Sequence, residues 1–524
     1  MSLRSENHRV PLVWALGFGL ILIVHFFWQL LNEAPPAWDM AFHQLKGWQL
    51  LEVWRQGGPL SGVWSISFPY PPLYHWTEAL IFGALGDTRL VAFFANLPGL
   101  FFLSYGTYGV GRYYLKPVQA GWAGILVLLF PMVTWVSRES LLDVPLAGWV
   151  ALSGFLLLKS RFFTSRSWTL LLGLACAAGM LTKWTFPIYI LVPFLYGLFR
   201  SSHKGKSCLN LLFAGLLALP LVLIYYAPNF RILASNYPTT EQIGLIPWRP
   251  FPRHGEPGLN NFLGWIYYPR VLVSYFLFLP LTLLFMVGAL VPGVGVKEEQ
   301  VPRRNYLWFW LVGGLVLLTF LTPKDPRFAI PLGTPLAVLL VCFWQGHRRV
   351  LAAILGVSAL QFLLISFSMP FTPAKLAIFS REEDGDFQTI QREWVIFQPE
   401  YFGITGPPRK ENWRFAEILS RIPEGAEVGF LPELPRFNVN GLILQAARTG
   451  EEVKAAAIGN LDHWQLRLEE LDFVVSKSGY QGLSFITGFN SEIEESLESE
   501  RWEVVGQWSL PDGSVARLLR NPER

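Results

Sequence analysis

Long apolar runs, separated by short basic segments, fill the first 369 residues and constrain the fold more than any other feature. Eleven of them are long enough, or nearly so, to cross a bilayer as helices: about 11–31, 90–111, 118–136, 141–158, 168–182, 184–199, 208–227, 271–292, 306–321, 328–344 and 350–368. Only 15% of the 524 residues are charged, whereas a soluble globular protein carries about a quarter. The sequence therefore predicts an α-helical polytopic membrane protein with about eleven transmembrane helices.

The remaining part of the chain, residues 370–524, has a different composition. It holds 25 of the 38 acidic residues and 16 of the 42 basic ones. Helical patterns at 411–422, 437–448 and 491–500 alternate with strand-like segments at 427–432 and 471–477, and a hairpin turn is predicted at Asp512–Gly513. This alternation predicts a small α/β domain. We therefore divide the chain into a membrane domain, 1–369, and a soluble domain, 370–524.

The connections between the apolar runs alternate in charge. Alternate connections are basic and together hold fifteen lysines and arginines. The positive-inside rule places such segments in the cytoplasm. With a cytoplasmic N-terminus and eleven crossings, the soluble domain is extracytoplasmic, beside two long outer loops at about 33–89 and 228–270. We expect a multi-pass protein of the cell (inner) membrane. The basic residues form no continuous stripe, so nucleic acid is not an expected partner.

Few acidic residues flank the apolar runs, and those on the predicted outer side are candidates for function because boundary charges are costly. Asp39 leads an amphipathic, interfacial stretch, and His43 shares its helical face. Asp39 is either a helix N-cap or a catalytic base. Glu139 and Asp143 are four residues apart, so a helix starting there would place both carboxylates on one face beside Arg138. Helix capping is the alternative explanation for this pair.

The first outer loop also contains the segment YPPLYHW, residues 70–76, in which prolines separate aromatic rings. Tyr70, Tyr74 and His75 could form a rigid wall for a sugar or a lipid-linked ligand, because aromatic faces bind such groups at low entropic cost. The alternative is a stiff interfacial turn. Glu78 follows shortly after; it and His75 could be site residues, and a solvated face is the simpler explanation.

Cations collect at a later outer corner, where Lys324 and Arg327 stand among prolines, positioned to hold an anionic headgroup or phosphate. Asp325 is expected to pair with one of them. Lys183 and Arg270 are further outward cations, for which snorkelling to the interface is the simpler explanation.

Four segments, in this order, carry a resemblance to a known family: Trp38-Asp39, YPPLYHW (70–76), SRESLLDVPL (137–146) and TPKDPRFAIPL (322–332). Over about residues 12–345 the sequence resembles the GT-C superfamily of membrane glycosyltransferases. The similarity is to the branch that uses polyprenyl- or dolichyl-phosphate sugars, which contains the protein O-mannosyltransferases and the lipid A aminoarabinose transferases. The soluble domain looks like the extracytoplasmic α/β domain of some bacterial relatives.

The resemblance implies inverting transfer of a sugar from a polyprenyl-phosphate donor to a hydroxyl of an acceptor glycan, lipid or protein at the outer face. Asp39 would accept the hydroxyl proton as general base. Asp143 and Glu139 match the second acidic motif, which shapes the donor or acceptor site. The residues that match the donor-phosphate contacts are the cations Lys324, Arg327 and Arg270.

Two positions depart from the family pattern. Met40 follows Asp39 where many relatives have glutamate, and Tyr70 stands where the aminoarabinose transferases have lysine. The first departure argues against a metal ligand at this point, and the second argues against an aminoarabinose donor. The spacing of Cys176, Cys208 and Cys342 suggests neither a metal site nor a disulfide framework. No cofactor is predicted.

Two alternatives to a transferase remain at this stage. A secondary transporter would show charged or glycine-broken helices near the bilayer midplane and two similar halves. A non-catalytic subunit for export or assembly of envelope polysaccharide would use the soluble domain to bind partners and would leave Asp39 dispensable.

Overall fold

A computed structural model describes residues 12–58, 66, 67, 69–235, 259, 260, 262–291, 301–321, 324–367, 406–461, 463–482 and 486–524. A helix, or a series of consecutive helical segments, lies at each of the eleven predicted apolar runs. The expected domain boundary at residues 369 and 370 lies outside the described residues.

The membrane domain is helical throughout its described part. Its helices are α1 (Leu12–Leu31), α2 (Trp38–Arg55), α3 (Leu73–Leu85), α4 (Val91–Gly111), α5 (Pro117–Leu129), α6 (Pro131–Val136), α7 (Asp143–Lys159), α8 (Arg166–Thr182), α9 (Phe186–Arg200), α10 (Lys204–Ser235), α11 (Phe262–Trp265), α12 (Tyr267–Val271), α13 (Phe278–Leu290), α14 (Val301–Thr319), α15 (Gly333–Phe343) and α16 (Arg348–Phe367). A π-helical turn, Leu272–Leu277, joins α12 to α13, and a 3-10 helix, Pro326–Leu332, precedes α15. Pro131 divides the third apolar run into α5 and α6, because proline lacks the N–H that would continue the first helix.

In the part of the chain that the structure describes, five helical segments are long and apolar enough to cross a membrane: Leu12–Leu31, Lys204–Phe230, Tyr267–Leu290, Pro326–Phe343 and Arg348–Phe367. Large apolar side chains on these segments face outward, such as Leu16 at 64% exposure and Leu216 at 62%. Such faces are unfavourable in water and favourable against lipid chains. The chain is a multi-pass membrane protein, and its eleven crossings stay a prediction.

Helices α4 and α7 cross at very short distance. A Cβ atom added to Gly148 would lie 2.5 Å from the carbonyl oxygen of Gly99, so neither helix could approach as closely with a larger residue there. At the same crossing, the Asn96 side-chain amide donates to the carbonyl oxygens of Ser137 and Glu139, at 3.2 and 2.8 Å. The crossing therefore fixes the segment that leads into α7 and its first residue, Asp143.

The described part of the soluble domain contains a five-stranded sheet flanked by helices. Its elements are α17 (Phe415–Leu419), β1 (Glu427–Phe430), α18 (Val439–Thr449), β2 (Lys454–Ala457), α19 (Trp464–Glu469), β3 (Phe473–Lys477), α20 (Asn490–Ser499), β4 (Glu503–Ser509) and β5 (Val515–Arg520). The strand order is β2-β1-β3-β5-β4, with β1 parallel to both neighbours and β5 antiparallel to both of its own. The predicted α/β class is confirmed, and so is the hairpin, where Gly513 has a φ of 82°.

Two short elements of this domain, β2 and α19, were not predicted from the sequence. β2 consists of Lys454 and three alanines, residues with low strand propensity, so the sheet context and not the local sequence makes it a strand.

The two domains pack together through α2 and α18. Leu444 of α18 is buried against Ala41 and Leu45 of α2. The predicted amphipathic stretch of the first outer loop is thus a helix, but the soluble domain covers one of its apolar faces. The expectation that this face would lie in the membrane interface is wrong at these residues, because a protein surface buries them.

Candidate active site

Asp39 lies in the first turn of α2, and its side chain is half exposed, at 50%. The N-cap position belongs to Ala37, which makes no side-chain cap hydrogen bond. Asp39 is therefore not the helix cap, and that alternative is wrong. Arg327 Nη2 lies 3.5 Å from Asp39 Oδ2.

Arg327 is held in place by its neighbour Asp325. The Asp325 carboxylate caps the 3-10 helix by accepting the backbone N–H of Arg327 at 2.8 Å, and it also accepts the Arg327 Nε–H at 3.0 Å. The Arg327 side chain is only 15% exposed. The two contacts with Asp325 fix the orientation of the planar guanidinium, so that its Nη2 lies next to Asp39. Asp325 was expected to pair with Lys324 or Arg327, and the structure pairs it with Arg327.

Lys324 and Arg270 have other contacts in the structure. Lys324 is buried, and its ammonium donates to the carbonyl oxygens of Thr319 at 2.6 Å and Leu321 at 3.2 Å. These carbonyls are at the end of α14, where a cation stabilises the helix dipole. The Arg270 guanidinium lies 5.3 Å from the ring centre of Tyr267. The predicted phosphate contacts of both cations stay predictions.

Asp143 pairs with Lys183, not with Glu139. Lys183 Nζ lies 2.7 Å from Asp143 Oδ1, and the two side chains are 9% and 2% exposed. The same ammonium lies 4.7 Å from the ring centre of Phe328, the residue after Arg327. The buried pair therefore contacts the short helix that carries Arg327. Lys183 does not extend its ammonium toward the membrane surface, as snorkelling would require, because the ammonium is buried against Asp143.

His43 links the first-loop helices. Its Nδ1 lies within hydrogen-bonding distance of His75 Nε2, at 2.9 Å, and its ring centre is 4.9 Å from that of Tyr70 and 6.2 Å from that of Tyr74. Burial, and to a smaller extent the charges of Lys183 and Arg327, lower the pKa of His43 to about 3. His43 is neutral near pH 7. The four predicted side chains are therefore brought together next to the two ion pairs.

Glu139 and Arg138 precede α7, which begins only at Asp143. The expectation that Glu139 and Asp143 share a helical face is wrong, because the chain bends between them. Glu139 Oε1 lies 3.7 Å from Arg436 Nη2 of the soluble domain. Arg138 is buried, donates to the hydroxyl of Ser366, and places its guanidinium 4.5 Å from the ring centre of Trp28.

The soluble domain approaches the site through the segment 433–436. The backbone N–H of Trp38 donates to the carbonyl oxygen of Pro435 at 3.0 Å. Burial, and to a smaller extent the Asp39 carboxylate, raises the pKa of Glu433 to about 7. Sequence reasoning missed Glu433, and no local pattern marks it, because it reaches Asp39 only when the domains dock.

The chemistry of these side chains favours acid–base and anion-binding functions. Within the described ranges, no group of three or more histidines, cysteines, aspartates or glutamates is arranged to hold a metal ion. The site instead offers the accessible carboxylate of Asp39, the guanidinium of Arg327 beside it, and the neutral pair of His43 and His75.

Comparison with known structures gives the fold. The crystal structure of ArnT from Cupriavidus metallidurans in the apo state matches with a TM-score of 0.58, over 96% of this chain and 97% of that chain. The sequence identity of the two chains is 12%. The chain has the GT-C fold. The structure of the same ArnT bound to undecaprenyl phosphate is 12% identical, with a TM-score of 0.55 over 97% of both chains.

A third match, the Archaeoglobus fulgidus oligosaccharyltransferase tethered with an acceptor peptide, is 11% identical with a TM-score of 0.46, over 96% of this chain and 74% of that chain. No family model matches the sequence, and no curated protein matches it. The GT-C fold confirms the fold class expected from the four segments, and the soluble domain is included because the ArnT match covers nearly the whole chain.

Proposed function

We propose that the protein is an inverting glycosyltransferase that moves a sugar from a polyprenyl-phosphate donor to an acceptor hydroxyl. The GT-C fold supports this function, since one matching structure is of ArnT bound to undecaprenyl phosphate. The orientation given by the positive-inside rule puts the reaction at the extracytoplasmic face of the cell membrane. The proposed donor is a hexose or pentose on the lipid phosphate.

The observation that carries the proposal is the Asp39–Arg327 contact of 3.5 Å. A half-exposed carboxylate can accept a proton from an acceptor, and a guanidinium beside it can hold a phosphate through two parallel hydrogen bonds. Transfer with inversion requires these two functions on opposite sides of the anomeric carbon, so the donor sugar would enter between the two side chains.

The reaction balances with these two side chains. The acceptor oxygen forms a bond to the anomeric carbon while Asp39 takes the proton from that oxygen. The bond between the anomeric carbon and the phosphate oxygen breaks, and the electron pair leaves with the lipid phosphate. The phosphate gains negative charge in this step, so Arg327 stabilises the transition state more than the ground state.

The other predicted site residues receive supporting roles in this proposal. The Asp143–Lys183 pair positions the short helix that carries Arg327, and the His43–His75 contact positions α2 behind Asp39. Tyr70 and Tyr74 form an aromatic wall for the donor sugar or the first lipid units. Lys324 and Arg270 are further phosphate contacts in this scheme, once the donor rearranges their side chains.

Arg138 and Glu139 have a different place in the scheme. Arg138 connects the segment before α7 to Ser366, and Glu139 contacts the soluble domain. We therefore assign Glu139 a binding function and not a part in the proton transfer.

The proposal is tested with purified full-length protein in lipid nanodiscs, supplied with a panel of undecaprenyl-phosphate sugars and a membrane extract as acceptor. Release of undecaprenyl phosphate is measured by mass spectrometry. Asp39→Asn should lower the rate by about 10²- to 10⁴-fold, the usual contribution of a general base. Glu52→Gln is the matched control, because Glu52 is an exposed acid on the same helix.

Turnover in Asp39→Asn equal to that of the Glu52→Gln control would contradict the assignment of the base. Failure of the wild-type protein to release lipid phosphate from any donor, while it transports or binds envelope polysaccharide, would favour one of the two alternatives to a transferase.

A further inference from the structure

A second site lies between the two domains. A cavity of about 380 Å³ is bounded by the end of α1 and the first outer loop on one side and by α17 and α18 on the other. Small-molecule sites usually have volumes of about 300–1,000 Å³. Neither Asp39 nor Arg327 is among the described residues that line it. Of the predicted site residues, Glu139 lines the cavity. The cavity is therefore separate from the Asp39–Arg327 contact and shares Glu139 with the candidate site.

The charges in this cavity are balanced. Four carboxylates line it, and each has an arginine partner: Glu33 with Arg89 at 3.3 Å, Asp87 with Arg448 at 3.0 Å, Glu139 with Arg436 at 3.7 Å, and Glu411 with Arg409 at 3.3 Å. Two of these arginines, Arg89 and Arg448, line the cavity themselves. A phosphate would therefore meet the carboxylates, and a cation would meet these two arginines. A polar ligand without net charge avoids both penalties.

A buried acceptor on a residue that lines the cavity, Gln29 Oε1, has no hydrogen-bond donor among the described residues. Gln29 is 8% exposed. Leaving a buried polar atom without a hydrogen bond costs about 1–3 kcal/mol. A ligand hydroxyl would satisfy this oxygen once the side chain turns toward the cavity, since the atom itself is buried.

The wall also has an apolar part, which includes the Trp413 indole and Pro35. The Trp413 Nε1–H donates to Glu411 Oε2 at 3.2 Å, so this ring is fixed and not left to rotate into the cavity. Sugars combine hydroxyl groups at their edges with C–H groups on their faces, and aromatic rings bind such faces.

We propose that this interdomain cavity binds a neutral sugar residue of a glycan. The inference stands on the cavity and its side chains, and it does not require that the protein be a transferase. Within the proposed function, the site would hold part of the acceptor, away from the reacting hydroxyl.

The test is direct binding, without turnover. Full-length protein is placed in phosphatidylcholine nanodiscs, because sugar-based detergents would occupy the site. Saturation-transfer NMR is recorded with methyl glucoside, maltose and N-acetylglucosamine as neutral probes, and with glucosamine and glucuronate as cationic and anionic probes. We expect at least one neutral probe to bind more tightly than both charged probes.

Two variants locate the binding. Ala416→Trp should abolish it, because Ala416 is an exposed residue at the cavity wall and an indole there would fill the space. Gln29→Leu should weaken it by up to about tenfold, the loss of one neutral hydrogen bond. Gln507→Leu, the same replacement on exposed β4, is the control and should bind as the wild type does. Unfolding midpoints show that each variant is folded.

Equal binding in Ala416→Trp and wild type would overturn the proposal, and so would tighter binding of a charged probe, or no binding of any neutral probe. The Asp39→Asn variant separates this inference from the proposed function, because it should bind the neutral probe normally. Sugar binding that persists without any transferase activity would overturn only the proposed function. Transferase activity without sugar binding would overturn only the cavity proposal.

Discussion

Lys183 and Asp143 form an ion pair of 2.7 Å from which water is almost completely excluded. The two residues belong to the ends of different helices, Asp143 at the start of α7 and Lys183 after the end of α8. The pair lies against Phe328 and so connects the helix bundle to the short helix that carries Arg327.

We expect Asp143→Asn to destabilise the protein by about 3–5 kcal/mol, because it leaves the ammonium of Lys183 buried without a counter-charge. The double variant Asp143→Leu with Lys183→Met should be more stable than the single variant, since it removes both charges. Thermal unfolding in nanodiscs measures both effects. Loss of transfer in Asp143→Asn without any change in the unfolding midpoint would instead show a direct role of Asp143 in the reaction.

Arg327 is expected to determine donor affinity. Arg327→Ala should weaken binding of undecaprenyl phosphate by about 10- to 100-fold, the loss of a charged hydrogen bond. Arg327→Lys should recover only part of it, because an ammonium keeps the charge but not the planar fork. Isothermal titration in nanodiscs measures the affinity. Arg55→Ala, an exposed arginine on α2, is the control, and equal affinity in Arg327→Ala and this control would contradict the prediction.

Glu78 is expected to make the stability depend on pH. The sequence suggests a solvated face, but the side chain is fully buried between α2 and α3, and burial raises its pKa from 4.5 to about 8. The folded protein then holds a proton that the unfolded chain releases. This contribution to stability is complete below about pH 4.5, is lost as the pH rises toward about 8, and stays constant above that.

The measurement is the unfolding midpoint of wild type and Glu78→Gln between about pH 5 and pH 9. The wild-type midpoint should fall relative to the variant up to about pH 8 and then run parallel to it. Glu52→Gln, at an exposed position, should follow the wild type throughout. Parallel curves for wild type and Glu78→Gln over the whole range would show that this carboxyl does not titrate as the structure indicates.

The docking of the soluble domain is expected to hold α2, and with it Asp39, in position. Leu444→Asp puts a charge into the contact of α18 with Ala41 and Leu45 and should release the domain. We expect faster proteolysis between the domains and a lower kcat, with the soluble domain itself still folded. Leu466→Asp is the matched control, since Leu466 is 66% exposed on α19. Unchanged proteolysis and kcat in Leu444→Asp would show that the contact is not required.

Much of the architecture was predictable because it depends on local composition. An apolar run of sufficient length forms a helix in lipid regardless of its neighbours, since only a helix satisfies its own backbone there. The eleven runs and the alternating pattern of the soluble domain accordingly match observed elements. Asp39 and Arg327 were also identifiable, because charged residues next to apolar runs are few.

Local sequence patterns therefore predicted the helical membrane domain, the α/β class of the soluble domain and a short list of candidate residues. Which of these residues meet is set by the tertiary contacts. Arg327 reaches Asp39 across 288 positions, and Asp143 finds Lys183 40 positions away. Such pairs depend on how helices cross and domains dock. The local periodicity of a sequence does not encode distances of a few ångströms between segments that are far apart in the chain. For the same reason Glu139 faces the soluble domain, where a cavity is formed that neither domain contains alone.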